Sequence, residues 1–347
     1  MAAIAQPVSI AVFGAYGHTG RFVVARLRER GWRPRLCGRD PVRLAQSAAA
    51  WPNSETRVAR ADDPASLDAA LAGCAAVLNC AGPFSDTAAP LIEAALRARI
   101  PYLDTAAEQQ PVLAAFERYD AAARAGGIAV VPAMAFYGGL GDLLATAAMG
   151  DWDRADAVEV AVALDGWHPT LGTRITGERN TAKRLVIERG GLAELPSPPP
   201  QRDWMFPPPF GAQPVAAVPM SEIALLSRHL NIGSAMAYLD RGSLRDVRDP
   251  QTPAPVAADA SGRSAQVFAI EASVRRGGQV RRLGAAGRDI YAVTAPLLVE
   301  AMERVLDGRC RGVGVRAAGD VFDAADFLAA LAPDPLRLYL GGDPGDE

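Results

Sequence analysis

The 347-residue chain is predicted to be an α/β protein, with a doubly wound parallel sheet followed by a second α+β domain on a mixed sheet. Three observations predict this. Apolar runs of strand length alternate with helix-patterned segments through the first part of the chain, the order that builds a parallel sheet covered on both faces. Glycines 14, 17 and 20 stand between one such strand and the next helix. Past residue 142 the pattern changes to alternating strands joined by turn signals.

The elements follow in order. "SIAVFG" is a short apolar strand, and "GRFVVARLRERG" a helix with Phe22, Val23, Val24, Ala25 and Leu27 on its apolar face and Gly31 as its stop. "RPRLCGR" is a second strand. The next helix starts at Asp40, with Pro41 in its first position. "TRVARAD", "AAVLNCAG", "PYLDTA" and "IAVVPAMA" are further strands, separated by helices in "PASLDAALAG", "TAAPLIEAALRARI" and "QPVLAAFERYDAAARAGG". Right-handed crossovers make the doubly wound, Rossmann-type order the default. In the second half, "AVEVAVALDG" alternates as a strand, and "QVFAIEASVRRGG" pairs with "QVRRLGAAG" across Gly277-Gly278. The proline-dense stretch "LPSPPPQRDWMFPPPFGAQPVAAVP" is expected to stay out of a central sheet and to cross the surface as a connector. The alternative is a cover over a pocket, with Trp204, Met205, Phe206 and Phe210 facing inward. "IYAVTAPLLVEAMERVLDG" and "FDAADFLAALA" are helices.

Composition narrows the function. Half of the chain is hydrophobic, enough for a large core, and the formal net charge is -3. That balance offers no field for nucleic acid and no polybasic membrane patch. The N-terminus has no charged region followed by a long apolar one, so no signal peptide is expected, and no stretch reads as a membrane span. Cys37, Cys74, Cys80 and Cys310 have no metal spacing, and the three histidines are scattered. Reduced thiols in a cytoplasm are the expectation, and no metal.

The glycine stretch "AVFGAYGHTGR" carries the chemistry. A strand that turns tightly into a helix presents free backbone N–H groups and the positive end of the helix dipole, the place for a pyrophosphate. Gly14 would make the turn, Gly17 admit the phosphate and Gly20 let helix and strand pack. Tyr16, His18 and Thr19 complete the turn. The end of the second strand, "CGRD", places Arg39 where a guanidinium can clamp a 2′-phosphate, while Asp40 reads as a helix cap, so NADP is favoured over NAD. Asp62 either touches the adenine or sits in a solvated turn. Cys80, Ala81, Gly82 and Pro83, in "NCAGPF", leave room on the nicotinamide side. Cys80 reads as a small buried residue rather than a nucleophile.

With "GRD…RL", "NCAGPF" and "YLDTAAE", the glycine stretch resembles the saccharopine dehydrogenase-like NAD(P)-binding proteins, of the saccharopine reductase or trans-acting enoyl reductase type. The resemblance continues through "GLGDLLA", "LGTR", "GRDIYAVTAPLLVEAMERVLDG" and "GVGVRAAGD", and so spans nearly the whole chain. The family's usual aromatic residue in the glycine turn is His18 here, and its Gly-Glu pair appears as Ala107-Glu108. The resemblance implies a dinucleotide domain of residues 1–142 plus about 290–347, with C-terminal helices returning to it, and a substrate or dimerisation domain of residues 143–289. It also implies hydride transfer to C=N bonds, or in relatives to C=C bonds.

Candidate catalytic groups should lie at the carboxyl ends of strands. Asp104 and Glu108 follow the fifth strand, and Tyr137 and Asp142 the sixth. Thr173 and Arg174 lie in "LGTRITGERNTAKR", a segment that also holds Arg179, Lys183 and Arg184. Arg174 would grip a substrate carboxylate, and Tyr137 or Glu108 would donate a proton. Lys183, the chain's one lysine, reads as solvent-facing. No tyrosine is followed four residues later by lysine, which argues against a short-chain dehydrogenase. The expectation is an NADP-dependent oxidoreductase acting on a small molecule, with a homodimer left open as its assembly. A non-catalytic NADP-binding sensor stays open as the alternative, as does a dehydratase or isomerase with a retained cofactor.

Overall fold

The computed structural model describes residues 8–341, so the expectation about the extreme N-terminus lies largely outside the described residues. The first sheet is parallel throughout and is ordered β3-β2-β1-β4-β5-β6-β15. Its strands are β1 (Ser9–Phe13), β2 (Arg33–Gly38), β3 (Glu55–Val58), β4 (Cys74–Asn79), β5 (Tyr102–Asp104), β6 (Ala129–Val131) and β15 (Gly314–Val315). The order reverses between β1 and β4, which leaves a crevice at their carboxyl ends. β1 is nearly continuous apolar sequence because helices cover both of its faces.

Those helices lie in two layers. On one face α1 (His18–Glu29) packs against α10 (Thr294–Leu306), with Phe22, Val23 and Leu27 meeting Leu297, Leu298 and Met302 in one core. On the other face α3 (Pro64–Leu71), α4 (Phe84–Ala98) and α5 (Gln109–Gly126) bury Leu67, Leu91, Ile92 and Ala115. α2 (Pro41–Ala50) is capped as expected, since the Asp40 carboxylate accepts the N–H groups of Val42 and Arg43 at 2.9 and 3.1 Å.

The second sheet is mixed. Its path is β10-β11-β12-β7-β13-β14-β16, with β8 (Leu185–Glu188) and β9 (Gly191–Glu194) attached at β12. β7 (Ala155–Leu164) and β12 (Ile232–Asp240) run parallel, and the other pairs are antiparallel. β13 (Val267–Arg276) and β14 (Gln279–Arg288) turn at Gly277-Gly278, as the sequence indicated. Helix α6 (Gly141–Met149) packs on β13 and β14, so one continuous core joins this sheet to the first.

One expectation is corrected. The proline-dense stretch does enter the sheet, as the hairpin of β10 (Gln201–Phe206) and β11 (Gly211–Ala217). It can do so because Pro207–Pro209 lie in the connection and only Val215–Ala217 of β11 pair with β12; Pro214 lies before that pairing, where its missing N–H breaks no ladder to β12. The hairpin bends over the outer face of the sheet. Arg202 reaches Glu159 on β7 at 2.8 Å, and Arg282 on β14 stacks on Trp204, five strand positions away along the sheet path. Trp204 and Phe206 are buried on Ala161, Ala163 and Tyr238, so they cover a sheet face rather than a pocket, while Met205 is exposed. The C-terminal segment also divides. β15 joins β6 as a returning element, whereas β16 (Arg337–Leu340) pairs with β14 in the mixed sheet.

Candidate active site

The site begins at the crevice between β1 and β4. Gly14 has φ +81°, and a Cβ there would lie 2.9 Å from Ala81. A Cβ on Gly20 would collide with the Gly14 carbonyl oxygen. A methyl on Gly17 would lie 3.0 Å from that same oxygen. The chain therefore passes itself at backbone contact, and only glycine fits at positions 14 and 20. Gly17 caps α1 without a side-chain hydrogen bond, and no acidic residue stands in the first turn. The N–H groups of His18, Thr19 and Gly20 open the helix as orphan donors.

Tyr16 lies flat along β2, where its ring packs on Gly38 and carries the Arg43 guanidinium at 4.5 Å. Its hydroxyl accepts the Asp40 N–H at 3.3 Å. Arg39 is exposed beside this platform, and the Asp40 carboxylate is spent on its helix. Two cations and no free acid therefore stand at the tip of β2, which suits a 2′-phosphate. Asp62 pairs with Arg60 at 3.0 Å on an exposed turn.

After β4, the Asn79 carboxamide fixes the start of the next loop by accepting the Ala81 N–H at 3.0 Å. The Cys80 thiol is pushed up to about 12 by burial and by Asp104, which removes it as a nucleophile. Above Gly82 and Pro83 lies α7 (Leu171–Arg179). Thr176 of this helix faces Gly82, and Arg179 holds Asp86 with contacts of 2.5 and 3.0 Å. No residue of α7 is buried. Glu108 is buried, and its carboxylate accepts the N–H groups of Phe84 and Ala107 at 3.0 and 3.1 Å. Burial raises its pKa. It therefore secures the loop at the start of α4. Asp104 is fully buried on the N–H groups of Ala106 and Ala133 and ties β5 to β6.

Tyr137 sits in the non-helical turn 136–140, next to Gly138 at φ +105°. Its ring stacks on Trp167 at 5.3 Å and meets Phe136 edge-on. Trp167 donates to the Tyr291 hydroxyl at 3.0 Å, and the Tyr291 ring meets His18 at 5.2 Å. An aromatic wall thus runs from the glycine turn, through His18, Tyr291 and Trp167, to Tyr137. Both ends carry a buried polar atom with no hydrogen-bond partner among the described residues, His18 Nε2 and the Tyr137 hydroxyl. Burial lowers the pKa of His18 and keeps Tyr137 a neutral phenol. Behind Tyr137 is a cavity of about 10 Å³, lined in part by Met220, Glu222, Val160 and Tyr238.

Two candidates are engaged in other contacts. Asp142 is fully buried against His229 at 2.6 Å and the Gly319 N–H at 2.7 Å, so it locks α6 to its neighbours. Arg174 spends its guanidinium on the carbonyl oxygens of Asp249 and Thr252, at 2.5 to 3.3 Å. Sequence reasoning gave no role to Trp167, Tyr291 or Glu222. The first two meet Tyr137 and His18 only through the tertiary fold. Glu222 gave little signal, since an acid in the first turn of a helix reads as an ordinary partner of the helix dipole.

Residues 10–131 match the family model described as the saccharopine dehydrogenase NADP binding domain. NADP is thus the cofactor of this domain, and the glycine corner, the orphan donors and the cations at the tip of β2 all fit it. Among solved structures, apo saccharopine dehydrogenase (L-Glu forming) from Saccharomyces cerevisiae shares the fold. Its TM-score is 0.68 at 11% identity, with 96% of this chain and 100% of that chain covered. Vestitone reductase from alfalfa is similar over 29% of this chain and 38% of its own, at 20% identity and TM-score 0.25. Gre2 in complex with NADPH from Candida albicans is similar over 29% and 37%, at 17% identity and TM-score 0.27. No curated protein matches the sequence. Among the described residues, no helix is long and apolar enough to cross a membrane.

Glu222 yields a prediction from its surroundings. It opens α8 (Ser221–His229) and accepts the Met220 N–H at 2.8 Å, and burial raises its pKa from 4.5 to about 7. Between those values the folded chain holds a proton that the unfolded chain has released, so stability falls as pH rises through the window. Glu222→Gln should therefore match the parent near pH 4 and exceed it by up to about 3 kcal/mol above pH 7.5, read by urea unfolding.

Proposed function

We propose that this chain, which carries a saccharopine dehydrogenase-type NADP-binding domain over residues 10–131, is an NADP-dependent oxidoreductase. It transfers a hydride between nicotinamide and a C=N or polarised C=C bond of a small, carboxylate-bearing substrate. The observation that carries this reading is the aromatic wall, which leads from the glycine turn to the unpartnered hydroxyl of Tyr137. A phenol held neutral in a water-poor site is suited to give a proton to the atom beside a hydride acceptor.

The bound NADP supplies the hydride chemistry. The chain's residues bind, orient and exclude water. Gly14, Gly17, Gly20 and the first turn of α1 hold the diphosphate, and Arg39 with Arg43 holds the 2′-phosphate. Ala81, Gly82 and Pro83 give the nicotinamide side its space, and Glu108 keeps that loop in place through Phe84. Trp167, Tyr291 and α7 close the site against water. Residues 1–142 with the helices after 290 form the cofactor unit, and 143–289 the unit that faces the substrate, a division supported by the pairing of β15 with β6. Residence in the cytoplasm rests on four free cysteines. Pairing of two copies through the mixed sheet rests on Leu340, exposed on its edge strand.

The sensor reading has one observation in its favour, the narrowness of the cavity behind Tyr137, which at about 10 Å³ has room for a single water. Turnover separates the two. The parent should oxidise NADPH in the presence of imine or enoyl acids. Tyr137→Phe should lower kcat by about 10²-fold while leaving the NADPH Kd unchanged. Absence of turnover across such substrates, with tight NADPH binding, would favour the sensor. Arg39→Asp should weaken NADPH by about tenfold and leave NADH unaffected or tighter, measured by nicotinamide fluorescence.

A further inference from the structure

The second unit enters the site just before β8, where Arg184 is drawn beneath the loop that leads into α8. Its Nη1 donates to the Pro219 carbonyl at 2.6 Å and lies 3.2 Å from the Met220 sulfur. Among the described residues no other hydrogen bond and no ion pair forms on this guanidinium. The carboxylate that faces it, Glu222, is turned toward the Met220 N–H. Arg248, at the end of α9 (Arg241–Arg248), adds charge of the same sign, and burial with this repulsion lowers the pKa of Arg184. Glu222 opposes that shift without forming an ion pair, so this half-buried cation is left without a direct carboxylate contact, which is costly. Tyr137, with its unpartnered hydroxyl, is among the groups that bear on Arg184.

The other cations of this segment are taken. Arg174 is saturated by backbone carbonyls, Arg179 by Asp86, and Lys183 pairs with Glu194 in the open. Resting on the hydride-transfer reading above, we infer that Arg184 is the residue that recognises the substrate's carboxylate and so sets the substrate class. The class is a small acid whose C=N or C=C bond lies close enough to its carboxylate for Tyr137 to serve the reacting end. The free Nε and Nη2 donors form a fork that takes both carboxylate oxygens.

Titration of the NADP+-saturated chain with pyruvate and 2-oxoglutarate, and with pyruvamide as the neutral control, tests this. At least one acid should bind the parent, and pyruvamide at least tenfold more weakly than pyruvate. Arg184→Gln should lose the acid by tenfold or more, Arg184→Lys should recover part of it, and Arg174→Gln should stay within twofold of the parent. Binding of neither acid to the parent, equal binding of acid and amide, or an unchanged affinity in folded Arg184→Gln would overturn the assignment. NADP+ binding is measured first and separately. If it fails, the hydride-transfer reading fails, while the same titrations on the chain without cofactor still judge Arg184.

Discussion

The molecule depends on one close approach of backbone to backbone. The end of β1, the first turn of α1 and the start of the loop after β4 meet where Gly14 and Gly20 leave no space for a side chain. That contact fixes the angle at which α1 leaves the sheet and aims its orphan N–H groups at the crevice. It also sets the loop 80–83 beside the turn, so the two ends of a dinucleotide site are held by one constraint. A larger residue at Gly20 would move the helix, and with it the packing of α1 on α10.

The second sheet serves that corner by supplying a wall and a lid. α7 buries none of its own residues and is held from outside, by Arg179 on Asp86 and by Thr170 and Thr173 on Tyr291. Few apolar contacts hold it, which suits an element that opens for ligands. Tyr137 is held more tightly. The positive φ of Gly138 and the contact of the Ser221 hydroxyl with the Tyr137 carbonyl set its turn, and Trp167 sets its ring. The proposed proton donor therefore sits on the rigid side and the proposed cover on the soft side.

Much of the first sheet was legible in the sequence, because buried parallel strands are continuous apolar runs and because Asp40, Gly31 and the glycine stretch mark ends that obey local rules. The hairpin of β10 and β11 was not legible. Its prolines argued against a strand, and what admits them is the partial pairing of β11, a fact of tertiary structure. The return of β16 to β14 was hidden for the same reason. In the site, residue type indicated that Tyr137, Glu108 and Arg174 carry chemistry-capable groups, but hydrogen bonding decides their use. Glu108 and Arg174 are occupied by backbone groups and Tyr137 is not. Arg184 was one basic residue among four, and only the lack of an ion pair on it, among the described residues, sets it apart.

The most direct measurement is calorimetric titration of NADPH into the parent and into Gly17→Ala, with thermal melting of both. Position 17 has an ordinary φ of -71°, and its methyl would press on the Gly14 carbonyl oxygen at 3.0 Å, a strain that is small beside the loss of room for the phosphate. The account predicts that the parent binds NADPH and melts higher with it, while Gly17→Ala melts within a few degrees of the parent and binds at least tenfold more weakly. A parent that does not bind NADPH, or a Gly17→Ala chain that binds it equally well, would contradict the central claim.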